Sequence, residues 1–115
     1  MNLLHNNTLG IDIGSTTVKI AVLDSEQHIL FTDYERHYAN IQETLALLLS
    51  KAKEKLGEMT VSPSITGSGG LTLSGHLNVP FTQEVVAVAT ALQDYAPQTD
   101  VAIELGGEDA KIIYF

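Results

Sequence analysis

The sequence predicts an α/β fold, a mixed sheet laid down in the order βββαβα and completed by a ββ hairpin. Three observations predict it. Three apolar runs separated by short polar turns occupy residues 8–34 and read as an antiparallel meander. Two stretches with apolar residues at three- and four-residue spacing follow, on either side of a short strand signal, and read as helices. Two more apolar runs flank a Gly106-Gly107 turn at the end of the chain. A meander followed by strand–helix alternation implies helices packed on a mixed sheet. The fourth and fifth strands each follow a helix, so each is expected to run parallel to a neighbour through a right-handed crossover.

Taken in order, residues 1–7 read as a flexible polar lead-in in which His5, Asn6 and Asn7 fray, and residues 8–115 as one domain. The first strand covers about 8–14 and the second about 17–24; Asp24-Ser25-Glu26-Gln27 turns the chain into a third at 28–34. Ile41, Leu45, Leu48, Leu49, Ala52 and Leu56 lie on one face of a helix. Asn40 is its expected N-cap, Glu43 completes a capping box, and Gly57 stops it. Lys51, Lys53 and Lys55 suit the negative end of its dipole and read as a solvated helix end. Ser64-Ile65-Thr66 forms the fourth strand, ending at Gly67-Ser68-Gly69-Gly70, and a loop is expected from there through Pro80. A second helix spans Gln83 to Tyr95, with Thr82 as cap, Val85, Val88, Ala89 and Leu92 as its apolar stripe, and Pro97 as its stop. Strands at about 101–105 and 110–115 close the chain.

Composition narrows the class. At 115 residues and 44% hydrophobic content the chain buries roughly 65% of the surface it exposes when unfolded. Fourteen acidic residues against six Lys and Arg leave a net charge of −8, which excludes the basic footprint of a nucleic-acid partner. Nucleotides stay open, because a bound divalent cation reverses the local sign of an acidic pocket. The chain has no cysteine, hence no disulfide framework and no thiolate metal site. No signal peptide opens it and no apolar run approaches the roughly 18 residues of a membrane span, so no membrane is expected and a cytoplasmic setting is the default.

The chemistry is concentrated in two hairpins. Leu9-Gly10-Ile11-Asp12-Ile13-Gly14-Ser15-Thr16-Thr17-Val18-Lys19 carries a carboxylate, Asp12, at the end of a strand, a Gly-Ser-Thr-Thr tip, and Lys19 on the return strand. Phosphate binding uses such parts: glycine admits close backbone approach, amide N–H groups and hydroxyls donate to oxygens, lysine neutralises charge, and a carboxylate holds a cation through water. Ile103-Glu104-Leu105-Gly106-Gly107-Glu108-Asp109-Ala110-Lys111 repeats the design. One such turn alone is usually only a hairpin; the pair, expected to face each other across a nucleotide phosphate chain, is the signal. Lys111 reads as a surface strand lysine, Asp109 as a turn residue, and Glu84 as a stabiliser of a helix N-terminus. Gly67 to Gly70 is a mobile connection or part of the site. His5, His28, His37 and His76 have no ligand spacing.

Residues 11–19 resemble the first phosphate motif of the actin, hexokinase and Hsp70 ATPase superfamily, and residues 103–111 its second. With the βββαβα order between them they resemble its first ribonuclease H-like half. The pairing of G-S-T-x-x-K with G-G-x-D-x-K, and Thr66-Gly67-Ser68-Gly69 after the fourth strand, are most similar to the BadF/BadG/BcrA/BcrD-type ATPases. These include activators of 2-hydroxyacyl-CoA dehydratases and ATPase subunits of benzoyl-CoA reductases. The resemblance implies ATP or ADP with Mg²⁺ as ligand and ATP-driven electron transfer to a dehydratase or reductase partner. It implies that Asp12 and Glu104 serve catalysis and hold Mg²⁺ through water. Gly14, Ser15, Thr16 and Thr17 would cradle phosphate, Lys19 would contact its charge, and Gly106 and Gly107 would bring the second backbone close. It also implies a [4Fe-4S] cluster shared by a homodimer, whose cysteines, like the adenosine site, are expected beyond Phe115. Ending inside the apolar run Ile112-Ile113-Tyr114-Phe115, the chain reads as an N-terminal fragment, inactive alone and open to self-association through uncovered apolar surface. Glu104 stands where many members have Asp, and Glu108 where many have Gln. A small-molecule kinase of the same superfamily, or a non-catalytic protein-binding module, is the alternative.

Overall fold

Side-chain alternation along the first two strands sets the sheet. The computed structural model describes residues 6–115; residues 1–5 of the expected lead-in, with His5, lie outside them. In β1 (Asn7–Ile13) Asn7, Leu9, Ile11 and Ile13 are buried, and in β2 (Thr17–Leu23) Val18, Ile20 and Val22. The antiparallel register sets Leu9 against Val22, Ile11 against Ile20 and Ile13 against Val18. Both apolar sets therefore share one face, and a one-residue slip would turn them all to the other. Asn7 belongs to this buried set and is not frayed: its side-chain amide donates to Met59 Sδ at 3.7 Å.

β3 (Ile29–Arg36) pairs antiparallel with β2, and β4 (Val61–Thr66) pairs parallel with the far side of β1, so the sheet order is β3-β2-β1-β4. Between them α1 (Ile41–Leu56) covers the apolar face through Leu45, Leu48 and Ala52. Enclosing side chains such as Leu48 or Ile65 stabilises the fold by roughly 1.5–3 kcal/mol each. Lys51 pairs with Asp33 and, at 3.3 Å, with Glu35, tying the helix to the edge strand. The capping box at Asn40 does not form. An N-cap side chain reaches the helix amides from extended backbone, and Asn40, at φ −105° and ψ 65°, leaves a tight turn instead. Its carbonyl serves the helix: Thr44 donates to it from both N–H and Oγ1.

Three elements depart from the pattern expected of the sequence. The stretch after the glycine turn is a helix, α2 (Gly70–Leu77), not a loop. Two glycines in eight residues hide its propensity, and packing of Gly70 against Ile65 and Phe81 stabilises it. α3 (Glu84–Tyr95) has Gln83, not Thr82, at its N-cap; no side chain caps it, and Ala87 N–H donates to Gln83 O at 2.9 Å. Finally, β5 (Val101–Leu105) does not join the main sheet; it pairs antiparallel with β6 (Ala110–Tyr114) in a two-stranded sheet. At the outer edge of β4, Ile65 N–H and C=O are already taken by Pro80 O and Thr82 N–H, so a parallel partner has no free groups there. Val101, Ile103, Leu105, Ile112 and Tyr114 expose one apolar face of the small sheet. No helix among the described residues is long and apolar enough to cross a membrane.

Candidate functional site

Two hairpins of the same construction meet tip to tip. Gly14 N–H donates to Thr17 O at 2.9 Å in the first, and Gly106 N–H donates to Asp109 O at 2.8 Å in the second. Each closure spans four residues. Ser15 and Thr16 in one, and Gly107 and Glu108 in the other, keep backbone N–H groups with no protein acceptor among the described residues. The tips touch: a Cβ on Gly107 would stand 3.0 Å from both Ser15 Oγ and Thr16 Oγ1. The missing side chain at Gly107 is what allows that spacing.

A third turn supports them from below. Gly67 has φ +100°, and a Cβ there would fall 2.3 Å from Ile13 O and 2.5 Å from Asp12 Oδ1. Gly69 N–H donates to Ile13 O at 2.9 Å. The glycine turn is thus packed beneath the end of β1, and it brings Ser68 to the same cleft.

That cleft, about 130 Å³, is lined by Asp12, Gly14, Ser15, Thr16, Thr17 and Lys19 from the first hairpin side. Glu104, Leu105, Gly106, Gly107, Asp109 and Lys111 line the other side, with Ser68 and Glu84. Every site residue read from the sequence is therefore on it. Asp12 and Lys19 are cross-strand partners on the polar face of the sheet, with Oδ2 and Nζ 3.6 Å apart. Glu104 and Lys111 are partners on the small sheet, 3.7 Å apart. Glu108 is exposed and outside the lining.

Lys111 corrects its reading as a plain surface lysine. Its Nζ lies 3.2 Å from Glu84 Oε2 and 3.3 Å from Asp109 Oδ2, besides Glu104. The hydrogen bond to Glu84, with smaller help from Asp109, holds the ammonium above its ordinary range. Glu84 thereby joins α3 to β6, a role that its place in a helix first turn did not disclose. No spacing links residues 27 positions apart, so only the fold brings them together.

Four carboxylates and two ammonium groups line the cleft. A polyphosphate entering it meets net negative charge, and a divalent cation is the group that reverses this. The residues fit a hydrated Mg²⁺: Asp12 and Glu104 offer carboxylates from opposite hairpins. Thr66 Oγ1, in register with Asp12, is buried without a partner among the described residues. No cluster of three or more His, Cys, Asp or Glu among the described residues could enclose a bare ion. Mg²⁺ usually keeps several waters and one or two protein carboxylates, which matches this donor set.

A separate apolar groove lies at the other end of β1, lined by Leu9, Val22, Leu49, Ala52, Leu56 and Met59. Its charged rim residues, Lys53 and Glu58, pair with each other at 3.4 Å. It offers no convergent donors.

No family model matches the chain, and no curated protein matches it. Solved structures do. Component A of (R)-2-hydroxyglutaryl-CoA dehydratase from Acidaminococcus fermentans superposes with a TM-score of 0.75 at 25% identity, over 95% of this chain and 42% of its own. The activator of 2-hydroxyisocaproyl-CoA dehydratase from Clostridium difficile, solved with ADPNP, gives 0.76 at 24% over 94% and 40%. The fold is that of an actin-like ATPase domain. A ROK family glucokinase from Streptomyces griseus, solved with glucose and AMPPNP, shares it at 0.62 and 23% identity over 95% and 45%. The structures that the chain resembles include the dehydratase activators to which its two hairpins were matched by sequence. The chain spans about two fifths of the length of these activators.

Proposed function

We propose that this chain is the phosphate- and Mg²⁺-binding half of a nucleotide site, in an ATPase that activates a 2-hydroxyacyl-CoA dehydratase or related CoA enzyme. The observation that carries the reading is the tip-to-tip meeting of Ser15 and Gly107, with unpartnered N–H groups on both turns. Amides of fixed geometry aimed at one small volume are how phosphate oxygens are held without reorganisation.

In this reading the amides and hydroxyls of Ser15 and Thr16 and the amide of Gly107 donate to phosphate oxygens. Thr17 adds its amide, and Gly14 and Gly106 shape the turns that present these groups. Lys19 takes up phosphate charge, leaving Asp12 to bind the cation's water shell with Glu104. Mg²⁺ supplies charge neutralisation of the phosphates when bound. Positioning and charge stabilisation of this kind account for most of phosphoryl-transfer catalysis. The chain has no cysteine, so it contributes no thiolate to a [4Fe-4S] cluster, and electron transfer to a dehydratase or reductase component requires residues other than these.

The solved activator holds ADPNP, and isothermal titration of MgADPNP against the chain tests the reading directly. Saturable binding that Asp12→Ala and Lys19→Ala each weaken supports it; absence of binding in the wild-type chain overturns it. A small-molecule kinase is the second reading, because the glucokinase shares the fold. In a whole ATPase that contains this chain, nucleotide turnover stimulated by a dehydratase component favours activation, and turnover stimulated by a sugar favours the kinase. A chain that binds neither nucleotide nor pyrophosphate is a protein-binding module on the same fold. Self-association through the exposed apolar face of β5–β6 belongs to the half-site reading, and a monomeric sedimentation profile at high concentration counts against it.

A further inference from the structure

His37 is buried behind the first phosphate turn, outside the cleft, and all its polar groups are engaged there. Its backbone N–H donates to Thr16 O at 3.0 Å, and its ring Nε2 lies 3.1 Å from Gly14 O. Ala39 N–H donates to ring Nδ1 at 3.0 Å, and Asn40 N–H donates to His37 O at 2.6 Å. This network assigns the tautomer. Nδ1 accepts a proton donor, so the ring proton sits on Nε2 and is given to Gly14 O.

The consequence for the turn follows from peptide geometry. Every peptide bond described is trans, so a carbonyl and the next residue's N–H lie in one plane and point in opposite directions. Holding Gly14 O and Thr16 O on His37 turns the N–H groups of Ser15 and Thr17 away from it. Ser15 and Thr17 line the cleft, and His37 does not.

The turn that follows the ring is strained. Tyr38 and Ala39 both lie in the left-handed region, at φ 46° and 67°, inside a turn closed by the Asn40 N–H. Two successive residues with a Cβ are unfavourable there, and such strain persists where the surroundings over-determine it and clusters at functional sites.

We propose that His37 is a positioning residue for phosphate binding: by holding the carbonyls of Gly14 and Thr16 it presents the amides of the first hairpin to the anion. The proposal rests on the nucleotide-site reading above. It differs from a packing role in naming one ring atom, Nε2, as the effective group.

Two variants separate the ring's two contacts. His37→Gln keeps a donor at the reach of Nε2; His37→Asn keeps an acceptor near Nδ1 for Ala39 and loses the donor to Gly14. Binding of MgADPNP, thermal midpoint and amide exchange at Ser15 and Thr17 are measured for both and for the wild-type chain. The expected result is that Asn lowers affinity about tenfold and speeds exchange at Ser15, while Gln stays within about twofold, the scale of one hydrogen bond. Equal affinity and equal Ser15 exchange in both variants overturn the proposal. So does loss of binding in both that tracks loss of the folded state. If wild-type chain binds no nucleotide, the nucleotide-site reading fails by itself, and Ser15 exchange in Asn against Gln still decides the positioning role.

Discussion

Gly107 stands against Ser15 so closely that a methyl group on Gly107 would lie 3.0 Å from the Ser15 hydroxyl oxygen. One residue comes from the turn of the last hairpin and the other from the turn of the first. A contact of this kind leaves room for small adjustments only, and the spacing of the two amide sets depends on it. Gly107→Ala is expected to fold with little loss, because two hydroxyl side chains can yield by a few tenths of an ångström. Gly107→Val pushes the tips apart and is expected to weaken MgADPNP binding by about tenfold or more, about 1.4 kcal/mol, with the thermal midpoint nearly unchanged. Calorimetric titration and a melting curve on the same samples check it.

Gly67 is held to a stricter limit. Its φ of +100° excludes side chains, and a Cβ would meet backbone at Ile13 O, 2.3 Å away, where nothing flexible can yield. Gly67→Ala is expected to destabilise the chain by about 3 kcal/mol or more. Gly75, inside α2 with nothing within 4 Å of its Cβ position, is the control: Gly75→Ala is expected to stabilise by about 0.5–1 kcal/mol. Urea unfolding of the two variants reads both signs.

Ala39 occupies left-handed backbone at φ 67° with no glycine to relieve it. Left-handed backbone costs a side chain about 1–2 kcal/mol, and glycine returns part of that as chain entropy. Ala39→Gly is expected to raise stability by about 0.5–1 kcal/mol, again by urea midpoint.

Two ion pairs carry shifts that act at opposite ends of the pH scale. A hydrogen bond from Lys51 holds the Asp33 carboxyl below its ordinary 3.8. A folded value below the unfolded one means that the pair's contribution is complete above pH 3.8 and is lost as pH falls through the lowered value. Lys111 is held above its ordinary 10.5, first by Glu84. Its contribution is complete below pH 10.5 and is lost as pH rises through the raised value. The stability difference between wild type and Lys51→Met should therefore shrink as pH falls through the lowered Asp33 value, and that for Lys111→Met as pH rises through the raised lysine value. Both ammonium groups are solvent-exposed, so both differences are small. A urea midpoint series across pH, run for each variant, measures them.

What could be read in advance was what sequence neighbours decide. Alternation fixed the buried faces of β1 and β2, three- and four-residue spacing gave α1, and glycines flanked by β-branched runs marked both hairpin turns. These signals are local, because side-chain direction in a strand or helix follows from the residue's own backbone. α2 escaped because Gly70 and Gly75 lower its propensity and only packing on Ile65 restores it. The fifth strand was legible but its pairing was not, because the donor and acceptor at Ile65 are taken by Pro80 and Thr82.

By itself the sequence determined the two hairpins and the residues on their tips. Tertiary structure alone decided that Gly107 meets Ser15, that Lys111 finds Glu84, and that His37 stands behind Gly14. The physical reason is range. Backbone geometry and periodicity act over a few residues, whereas contacts between residues 23, 27 or 92 positions apart exist only once packing has closed the chain on itself.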